Sequence, residues 1–297
     1  MKYALGIDVG GTNIKALAVT PSGRVLAETT RATLDHGKKK WMANVTLAKA
    51  HIEKTLHQPP TWIGLAAPGL VARDQRSIRS MPGRLPGLEG LVWRKFLKSA
   101  QPVPVLNDAQ AALLGEVWRG AARGARNAIL LTLGTGVGGA ALVDGRLLRG
   151  HLGRAGHLGH ISLDPAGRLD IVHTPGSLED AVGECTLKSR SEGRFASTEA
   201  LVVASNRNDP EARRVWLKSV QCLAAGIASL INVLDPETVI LGGGIAKAGP
   251  TLFRPLKKYL TLFEWRPFSR RVAVVPALLD DRAGAIGAAW NAIHFQQ

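Results

Sequence analysis

Short apolar runs separated by glycine-rich turns dominate the start of the chain. Tyr3 to Val9 and Ile14 to Val19 are rich in residues that favour β-structure, and the turn Gly10-Gly11-Thr12-Asn13 separates them. A third run extends from Val25 to Thr29, after the turn Pro21-Ser22-Gly23. The pattern predicts three successive strands, of which the first two are joined by a glycine hairpin.

The same pattern begins again near the middle of the chain. Asn127 to Leu133 predicts a strand, Gly134 to Gly139 a second glycine hairpin, and Ala140 to Val143 and Arg146 to Leu148 the strands that follow. We interpret the two series as an internal duplication of one phosphate-binding unit, with one copy in each of two domains facing a cleft.

The remaining pattern alternates between helices and strands. Helical spacing occurs at residues 38–57, 109–118, 178–192, 197–204, 211–234 and 283–293. Buried strands are predicted at residues 62–66, 102–106, 238–241 and 271–276. Residues 70–90 are rich in Gly, Pro and Arg, and residues 151–164 in Gly and His, so both are predicted loops near a ligand. The alternation predicts an α/β architecture.

A basic linker that contains glycine, Gly120 to Arg126, predicts the domain boundary. The chain then divides into an N-terminal α/β domain of residues 1–119 and a larger C-terminal α/β domain of residues 120–282.

The segment Leu106-Asn107-Asp108-Ala109 lies where a predicted strand meets a helix rich in alanine and leucine. The positive end of the helix dipole favours the ionised form of a carboxyl there, so Asp108 is a candidate proton acceptor. A second interpretation is that Asn107 or Asp108 only caps the helix. The pattern leaves both interpretations open.

Each glycine hairpin brings backbone amides close to where an anion could bind. In the first hairpin Thr12 adds a hydroxyl donor, and Asp8 could hold a divalent ion or its water beside a polyphosphate. Gly242-Gly243-Gly244 forms a strand-to-helix turn that could press against a flat ring or a phosphate. A single hairpin of this kind is also common as a plain turn.

The charge favours anionic partners without naming one. Lys and Arg number 38 against 23 Asp and Glu, a formal net charge of +15. Such a field concentrates nucleotides, sugar phosphates, polyphosphate or nucleic acid, although a solvated basic surface would look the same. Aromatic residues make up 5% and do not interleave with basic runs, which disfavours sequence-specific DNA binding.

Composition indicates a globular protein of the cytoplasm. The chain has 297 residues, of which 45% are hydrophobic, and shows neither a signal-peptide pattern nor an uninterrupted apolar segment that could cross a bilayer. We therefore expect no membrane partner. The two cysteines, Cys185 and Cys222, fit a reducing compartment and argue against a cysteine zinc site.

The motifs together resemble one family. They read, in order, GIDVGGTN, LAAPG, PVLNDAQAALLGE, LTLGTGVGGAALVDGRLLRG, GHLGH, LINVLDPETVILGGGIA and AGAIGAA, from about residue 4 to residue 290. This series resembles the ROK (repressor, open reading frame, kinase) family of sugar kinases in the hexokinase and actin superfamily. The resemblance implies a two-domain fold of the ribonuclease-H-like type with a central cleft. It also implies that residues 283–297 return to the N-terminal domain.

The activity implied is transfer of the ATP γ-phosphoryl group, with Mg²⁺, to a sugar hydroxyl, commonly by a homodimer. A glucose-like hexose phosphorylated at its 6-hydroxyl is the leading hypothesis. An N-acetylhexosamine or mannose kinase and a hexokinase that uses inorganic polyphosphate are alternatives within the same chemistry. A non-catalytic sugar sensor is the alternative of another class, because the family includes repressors.

The resemblance also assigns roles residue by residue. Asp108 matches the catalytic base, and Asn107, His160 and Glu179 match residues that contact or shape the site of the sugar. The positions that match the nucleotide and phosphate loops are Asp8, Gly10, Gly11, Thr12, Gly134, Thr135, Gly136, Gly138, Gly243 and Gly244. Phosphoryl transfer needs this combination of backbone amides, a divalent ion and one placed carboxylate.

Three positions depart from the family pattern. His157 stands where the family has a sugar-binding glutamate, and Arg84 stands where it has a sugar-contacting asparagine. Either the acceptor differs, with a negative group that a guanidinium could bind, or Arg84 lies outside the sugar site. The family's cysteine zinc motif aligns with Asp170 to Ser177, which contains no cysteine. We therefore expect no zinc; a metal site rebuilt from His151, His157, His160 and His173 matches no known spacing.

Overall fold

The computed structural model describes residues 1–35 and 40–295, which form two compact units. Unit 1 takes in Met1–Gly124, Arg149–Ala155 and Leu278–Gln297; unit 2 takes in Ala125–Leu148 and Gly156–Ala277. The domain limits 1–119 with 283–297 and 120–282 stay a prediction of the sequence. In the structure the stretches 149–155 and 278–282 pack with unit 1.

The elements are numbered in chain order. The strands are β1 (Ala4–Val9), β2 (Asn13–Val19), β3 (Val25–Ala32), β4 (Trp62–Ala67), β5 (Leu70–Val71), β6 (Ile78–Ser80), β7 (Val105–Asn107), β8 (Ala128–Leu133), β9 (Val137–Val143), β10 (Arg146–Leu147), β11 (Thr238–Gly242) and β12 (Ala273–Pro276). The helices are α1 (Lys40–Leu56), α2 (Trp93–Phe96), α3 (Asp108–Arg119), α4 (Leu178–Val182), α5 (Leu187–Arg190), α6 (Thr198–Asn206), α7 (Pro210–Leu234), α8 (Pro250–Phe263) and α9 (Ala283–His294).

Each unit is built on a five-stranded sheet with the same order of strands. The order is β3-β2-β1-β4-β7 in unit 1 and β10-β9-β8-β11-β12 in unit 2. In each sheet the first three strands form an antiparallel meander and the last two lie parallel to its central strand. The predicted repeat of strand, glycine hairpin and strand is therefore confirmed.

Each unit has its own hydrophobic core. In unit 1, β1 is almost wholly buried and packs with α1 and α2, where the rings of Trp41 and Trp93 lie 6.0 Å apart. In unit 2, the buried face of α7 packs on the sheet and on α8. Deep burial on both faces of the central strands explains their nearly continuous apolar sequence.

Helix α7 corrects one expectation from the sequence. By length and composition this 25-residue helix, alone among the described helices, could cross a bilayer. Half of its most apolar stretch is buried inside unit 2, as in the core helix of a globular domain, so this is weak support for a membrane span. The expectation of no such segment is wrong, because the charged residues of α7 cluster near its start and leave the rest apolar.

Small residues let α9 lie directly on the backbone of unit 1. A Cβ placed on Gly6 of β1 would collide with the Ala285 carbonyl, with its carbon 2.9 Å away, and one on Gly64 of β4 would lie 2.8 Å from the carbonyl carbon of Ala288. On the other side of α9, a Cβ on Gly287 would lie 2.6 Å from the carbonyl carbon of Ala111 in α3. Real Cβ atoms do not come this close, so each contact requires glycine.

A buried carboxylate joins α9 to the end of α3. Glu116 is fully buried, and its oxygens accept the N–H groups of Leu278 at 3.0 Å, Leu279 at 2.8 Å and Ala121 at 2.7 Å. Several N–H donors on one carboxylate satisfy its charge without a cationic partner. Glu116 therefore fixes the chain where it re-enters unit 1, a role that the sequence analysis did not find.

Several local predictions differ from the structure. The predicted helix at 178–192 is broken at Gly183 into α4, a 3₁₀ turn at Glu184–Thr186 and α5. Helix α8 was not predicted, because Pro250 and Pro255 read as breaks; Pro250 lies in the first turn, where a missing N–H costs little. The loop at 70–90 contains the short hairpin β5–β6. The predicted start at Lys38 lies outside the described residues.

The close contact at α9 makes a prediction. Gly6→Ala should lower the midpoint of thermal unfolding by about 6 °C or more, because the new methyl group meets only backbone atoms, which cannot move aside. Gly242→Ala in β11 is the matched control, since a Cβ there would find its nearest atom at 3.4 Å. Equal small effects in the two variants, measured by circular dichroism, would contradict the packing argument.

Candidate active site

The candidate residues of unit 1 lie at one edge of its sheet. β1, β4 and β7 are parallel neighbours, so their carboxyl ends meet there. Asp8 pairs in register with Ala66, and Asn107 pairs with Ala67, which places Asp8 and the start of α3 two strands apart. That separation corresponds to roughly 10 Å. The fold therefore gathers residues that are a hundred positions apart in the chain.

The helix cap is Asn107 and not Asp108. The Asn107 side-chain oxygen accepts the Ala109 N–H at 3.0 Å, and its amide donates to the Gly69 carbonyl at 3.2 Å. Gln110 completes a reciprocal capping box. The structure therefore confirms the interpretation that Asn107 caps the helix. Asp108 occupies the first helical position, where its Oδ1 also accepts the Ala109 N–H at 2.8 Å and its carboxylate lies in the field of the helix N-terminus.

Asp8 is a buried carboxylate among other charges. Burial, then the nearby carboxylates of Asp108 and Asp281, raise the pKa of Asp8 from its usual value to about 7, and Lys15 acts in the opposite direction. Oδ1 of Asp8 is buried and has no hydrogen-bond partner among the described residues. Gly284 of α9 lies directly against this carboxyl, with a hypothetical Cβ 2.7 Å from Cγ. The carboxyl is thus held in place, with one oxygen that has no hydrogen-bond donor among the described residues.

These features fit a divalent cation at Asp8. Mg²⁺ in phosphate-transferring sites usually takes one or two protein carboxylates, with phosphate oxygens and water completing its shell. A buried carboxylate oxygen without a donor, beside a second carboxylate at Asp108, is suited to such an ion. Within the described residues no group of three or more His, Cys, Asp or Glu side chains could hold a metal ion.

The first glycine hairpin connects β1 to β2. Gly10 donates to the Asn13 carbonyl at 3.0 Å, and the Thr33 hydroxyl donates to the Gly10 carbonyl at 2.7 Å. The Arg84 side chain lies against Gly11 on the same hairpin, and its Nε donates to Asp35 at 3.2 Å. Arg84, Asn107 and Asp108 therefore all belong to unit 1.

The second glycine hairpin, in unit 2, collects the other predicted residues. Gly134 donates to the Gly136 carbonyl at 2.9 Å, and Val137 donates to the Glu179 carboxylate at 2.9 Å. The 3₁₀ turn that follows His157 also packs here, since a Cβ on Gly159 would collide with the Val137 carbonyl, whose carbon would lie 2.8 Å away. Glu179 and the turn ending at His160 thus flank the hairpin.

A cavity of about 640 Å³ opens beside the same hairpin. Its lining includes Gly134, Thr135 and Gly244, which the sequence analysis assigned to the nucleotide. Gly243 adopts a φ of +85°, and a Cβ there would collide with the Leu133 backbone, so this turn requires glycine. The volume is within the range of pockets that hold a drug-sized ligand.

The comparisons with known proteins agree with this arrangement. A family model described as the ROK family matches residues 4–294. The chain belongs to the ROK family. A glucokinase of Thermotoga maritima is 32% identical, with 96% of this chain and 95% of the relative covered. An N-acetylmannosamine kinase of Vibrio cholerae is also 32% identical, with 97% and 98% covered.

A solved structure extends the likeness to the fold. The crystal structure of a ROK family glucokinase from Streptomyces griseus in complex with glucose and AMPPNP superposes with a TM-score of 0.79 at 28% identity, covering 99% of this chain and 100% of that one. The two-domain α/β fold of the ROK hexokinases, expected from the motifs, is therefore confirmed.

The zinc site of the family does not fit this ROK chain. The aligned ligand positions carry Asp170, Val172 and Ser177, and no described cluster could bind a metal in their place. Instead Asp170 Oδ2 lies 2.8 Å from His160 Nδ1, and Oδ1 accepts the N–H groups of Val172 and Thr174, both at 2.9 Å. The Asp170 side chain is 2% exposed, so this cluster of hydrogen bonds holds the loop.

Burial alone would raise the pKa of Asp170. Hydrogen bonds from His160, the Thr174 N–H, Ser177 and the Val172 N–H outweigh burial and hold the pKa below its usual value. The carboxylate therefore stays ionised beside His160 and supplies the negative charge that cysteine thiolates supply in a zinc site.

Sequence reasoning missed part of the cavity lining. Glu184, Thr198, Glu199 and Lys247 all line it. Glu184 also accepts the Thr198 N–H at 3.1 Å and so connects the hairpin region to α6. These residues belong to no glycine motif; the only sequence signal was the Ser197 cap that begins α6.

The buried Asp8 makes a pH-dependent prediction. Because its pKa is raised to about 7, the folded protein holds this proton more tightly than the unfolded chain, so stability falls as pH rises from about 4 to about 7. Asp8→Asn should therefore raise the unfolding midpoint at pH 8 and leave it nearly unchanged at pH 4. The control is Asp74→Asn, a change at an exposed carboxyl. A constant difference across pH would contradict the burial argument.

The cluster at Asp170 makes a second prediction. Asp170→Asn should lower the unfolding midpoint by about 3 to 10 °C, since an amide cannot replace the charged acceptor for His160. Asp164→Asn in the same loop is the control, because the exposed Asp164 side chain accepts the Ala166 N–H and its amide keeps that oxygen. A metal chelator should leave the native midpoint unchanged; a fall would mean that a metal holds the loop.

Proposed function

We propose that this ROK protein phosphorylates the 6-hydroxyl of a glucose-like hexose, with Asp108 as general base. The coarser activity is that of an ATP-dependent sugar kinase, as its family membership and relatives indicate. The observation that carries the finer proposal is the pair of carboxylates at the sheet edge of unit 1. Asp108 is close enough to raise the pKa of Asp8, and only Asp8 is deeply buried.

The two carboxylates have separate roles in this proposal. Asp108, at the first position of α3, accepts the proton of the attacking hydroxyl as its oxygen bonds to the γ-phosphorus and the bond from that phosphorus to the ADP oxygen breaks, so that ADP leaves. Asp8 is the ligand of Mg²⁺, which when bound neutralises charge on the phosphate oxygens. Asn107 caps the helix and so fixes the orientation of its neighbour Asp108.

The glycine residues bind the donor in this proposal. In the first hairpin Gly11 and Thr12 present backbone N–H groups to the phosphates, and Gly10 shapes the turn, since its N–H donates to the Asn13 carbonyl. The second hairpin has the same role. The cavity lined by Gly134, Thr135 and Gly244 receives the adenosine. The cavity lies beside both the second hairpin and the Gly243 turn, which supports this assignment. The residues of the second hairpin that we propose to bind the donor are Gly134, Thr135, Gly136 and Gly138.

The acceptor is proposed from the residues around the second hairpin. His157, His160 and Glu179 belong to one region of unit 2, and neutral imidazole and carboxylate groups both bond to sugar hydroxyls. The alternative acceptor is an N-acetylhexosamine such as N-acetylmannosamine, which one relative phosphorylates according to its name. His157 in place of glutamate is the feature that keeps this alternative open.

One assay tests the proposal. ADP release is measured with a panel of glucose, mannose, glucosamine, N-acetylglucosamine and N-acetylmannosamine, with ATP or inorganic polyphosphate as donor. Turnover with glucose and formation of the 6-phosphate support the proposal. Sugar binding without turnover on any member of the panel would instead indicate a sensor.

Asp108→Asn tests the role of the base. We expect kcat to fall about 10²- to 10⁴-fold with AMPPNP binding little changed, because Asn107 still supplies the cap and α3 keeps its start. The unfolding midpoint should stay within a few degrees of the native value. Retained turnover in a folded variant would show that another group accepts the proton.

A further inference from the structure

Arg84 is held against the first glycine hairpin by an anchored carboxylate. Asp35 accepts the Arg84 Nε–H at 3.2 Å through Oδ2 and the Leu85 N–H at 2.6 Å through Oδ1. The Asp35 side chain is 15% exposed, so one partly buried carboxylate orients both the side chain and the adjoining backbone. Two hydrogen bonds to Asp35 therefore fix the position of Arg84 in this loop.

The Nη side of the Arg84 guanidinium lies against Gly11 of the first hairpin. A Cβ placed on Gly11 would lie 2.8 Å from both Nη1 and Cζ of Arg84. Within residues 1–35 and 40–295 only Nε of this guanidinium has an acceptor, and the side chain is 48% exposed. The Nη donors thus lie beside Gly11, and no acceptor for them is found in the part of the chain that the structure describes.

This combination matches the chemistry of a phosphate. A guanidinium offers two parallel N–H donors that fit two oxygens of a phosphate, and adjacent glycine amides complete such an anion site. Recognition of a neutral sugar hydroxyl requires neither a positive charge nor two parallel N–H donors. Asp35 uses the Nε side of the guanidinium and leaves the Nη side for a ligand.

We propose that Arg84 binds the terminal phosphoryl group of the nucleotide donor at Gly11. The inference rests on the proposed function, because it takes the first hairpin as a phosphate loop. It assigns Arg84 a role in donor binding, whereas its position in the family motif suggested a sugar contact. Placed there, the guanidinium also stabilises charge on the transferred group, as arginines do in other phosphoryl-transfer enzymes.

A binding measurement separates the terminal phosphate from the rest of the nucleotide. Calorimetric titration of the full chain with Mg²⁺·AMPPNP and with Mg²⁺·ADP compares the native protein with Arg84→Gln. We expect about a 10- to 100-fold loss of affinity for AMPPNP and no more than about a twofold change for ADP. Arg79→Gln, at an exposed arginine of β6, is the matched control and should change neither affinity.

A second variant tests the anchor. Asp35→Asn keeps the charge of Arg84 but weakens its orientation, so we expect a smaller loss for AMPPNP and again none for ADP. Equal losses for both nucleotides, or no loss for AMPPNP in Arg84→Gln, would overturn the proposal.

An anionic group on the acceptor is the other source of a phosphate-like ligand. If Arg84→Gln left AMPPNP binding unchanged but lowered kcat/KM for glucose 1-phosphate, which is anionic and keeps its 6-hydroxyl, relative to glucose, Arg84 would bind the acceptor, and the donor assignment would be wrong. If the native protein bound neither nucleotide, the proposed function would fail together with this inference. If the native protein phosphorylated a hexose and Arg84→Gln bound AMPPNP with unchanged affinity, the Arg84 inference would be wrong while the proposed function would stand.

Discussion

Unit 1 depends on the contact of α9 with β1, β4 and α3, where backbone meets backbone. Glycine at positions 6, 64 and 287 removes the side chains that would otherwise hold these elements apart. Dispersion contacts between densely packed main-chain atoms then replace the usual interdigitation of large side chains. This packing is sensitive to substitution, because there is no space for even a methyl group at any of these three positions. Glu116 adds a directional constraint by accepting N–H groups from the segment that leads into α9.

The same contact determines the chemistry of Asp8. Gly284 of α9 lies against the Asp8 carboxyl, and the segment before α9 supplies Asp281. Burial by α9 raises the pKa of Asp8, and the carboxylates of Asp108 and Asp281 raise it further. A divalent cation that binds there replaces lost solvation with a counter-charge, so the packing constraint and the proposed metal role have one origin. In unit 2 the corresponding constraint is Val137, whose backbone contacts both Glu179 and the turn ending at His160.

Much of this molecule was readable from local pattern. The strand and hairpin series predicted both sheets, because a period of two and paired glycines are local signals that survive any tertiary arrangement. Helix α7 was predicted to within one residue, since Asp209 caps its start and Asp235-Pro236 ends it. Helix α8 was missed because its two prolines contradict local propensity, and the segment at 178–192 was read as one helix because nothing local marks the break at Gly183.

The sequence by itself determined the family, the α/β architecture, the two glycine hairpins and the strand-to-helix position of Asp108, since each depends on residues close together in the chain. Only the tertiary structure decided which residue caps α3 and that Asp170 pairs with His160 in the loop where the family has its zinc motif. It also decided that Arg84 lies against Gly11, where a hydrogen bond to Asp35 orients it. The buried state of Asp8 also belongs to the tertiary level. Apart from the cap, whose hydrogen bonds are local, these features arise between residues 10 to nearly 300 positions apart, and no periodicity or motif encodes such a distance; packing alone brings them together.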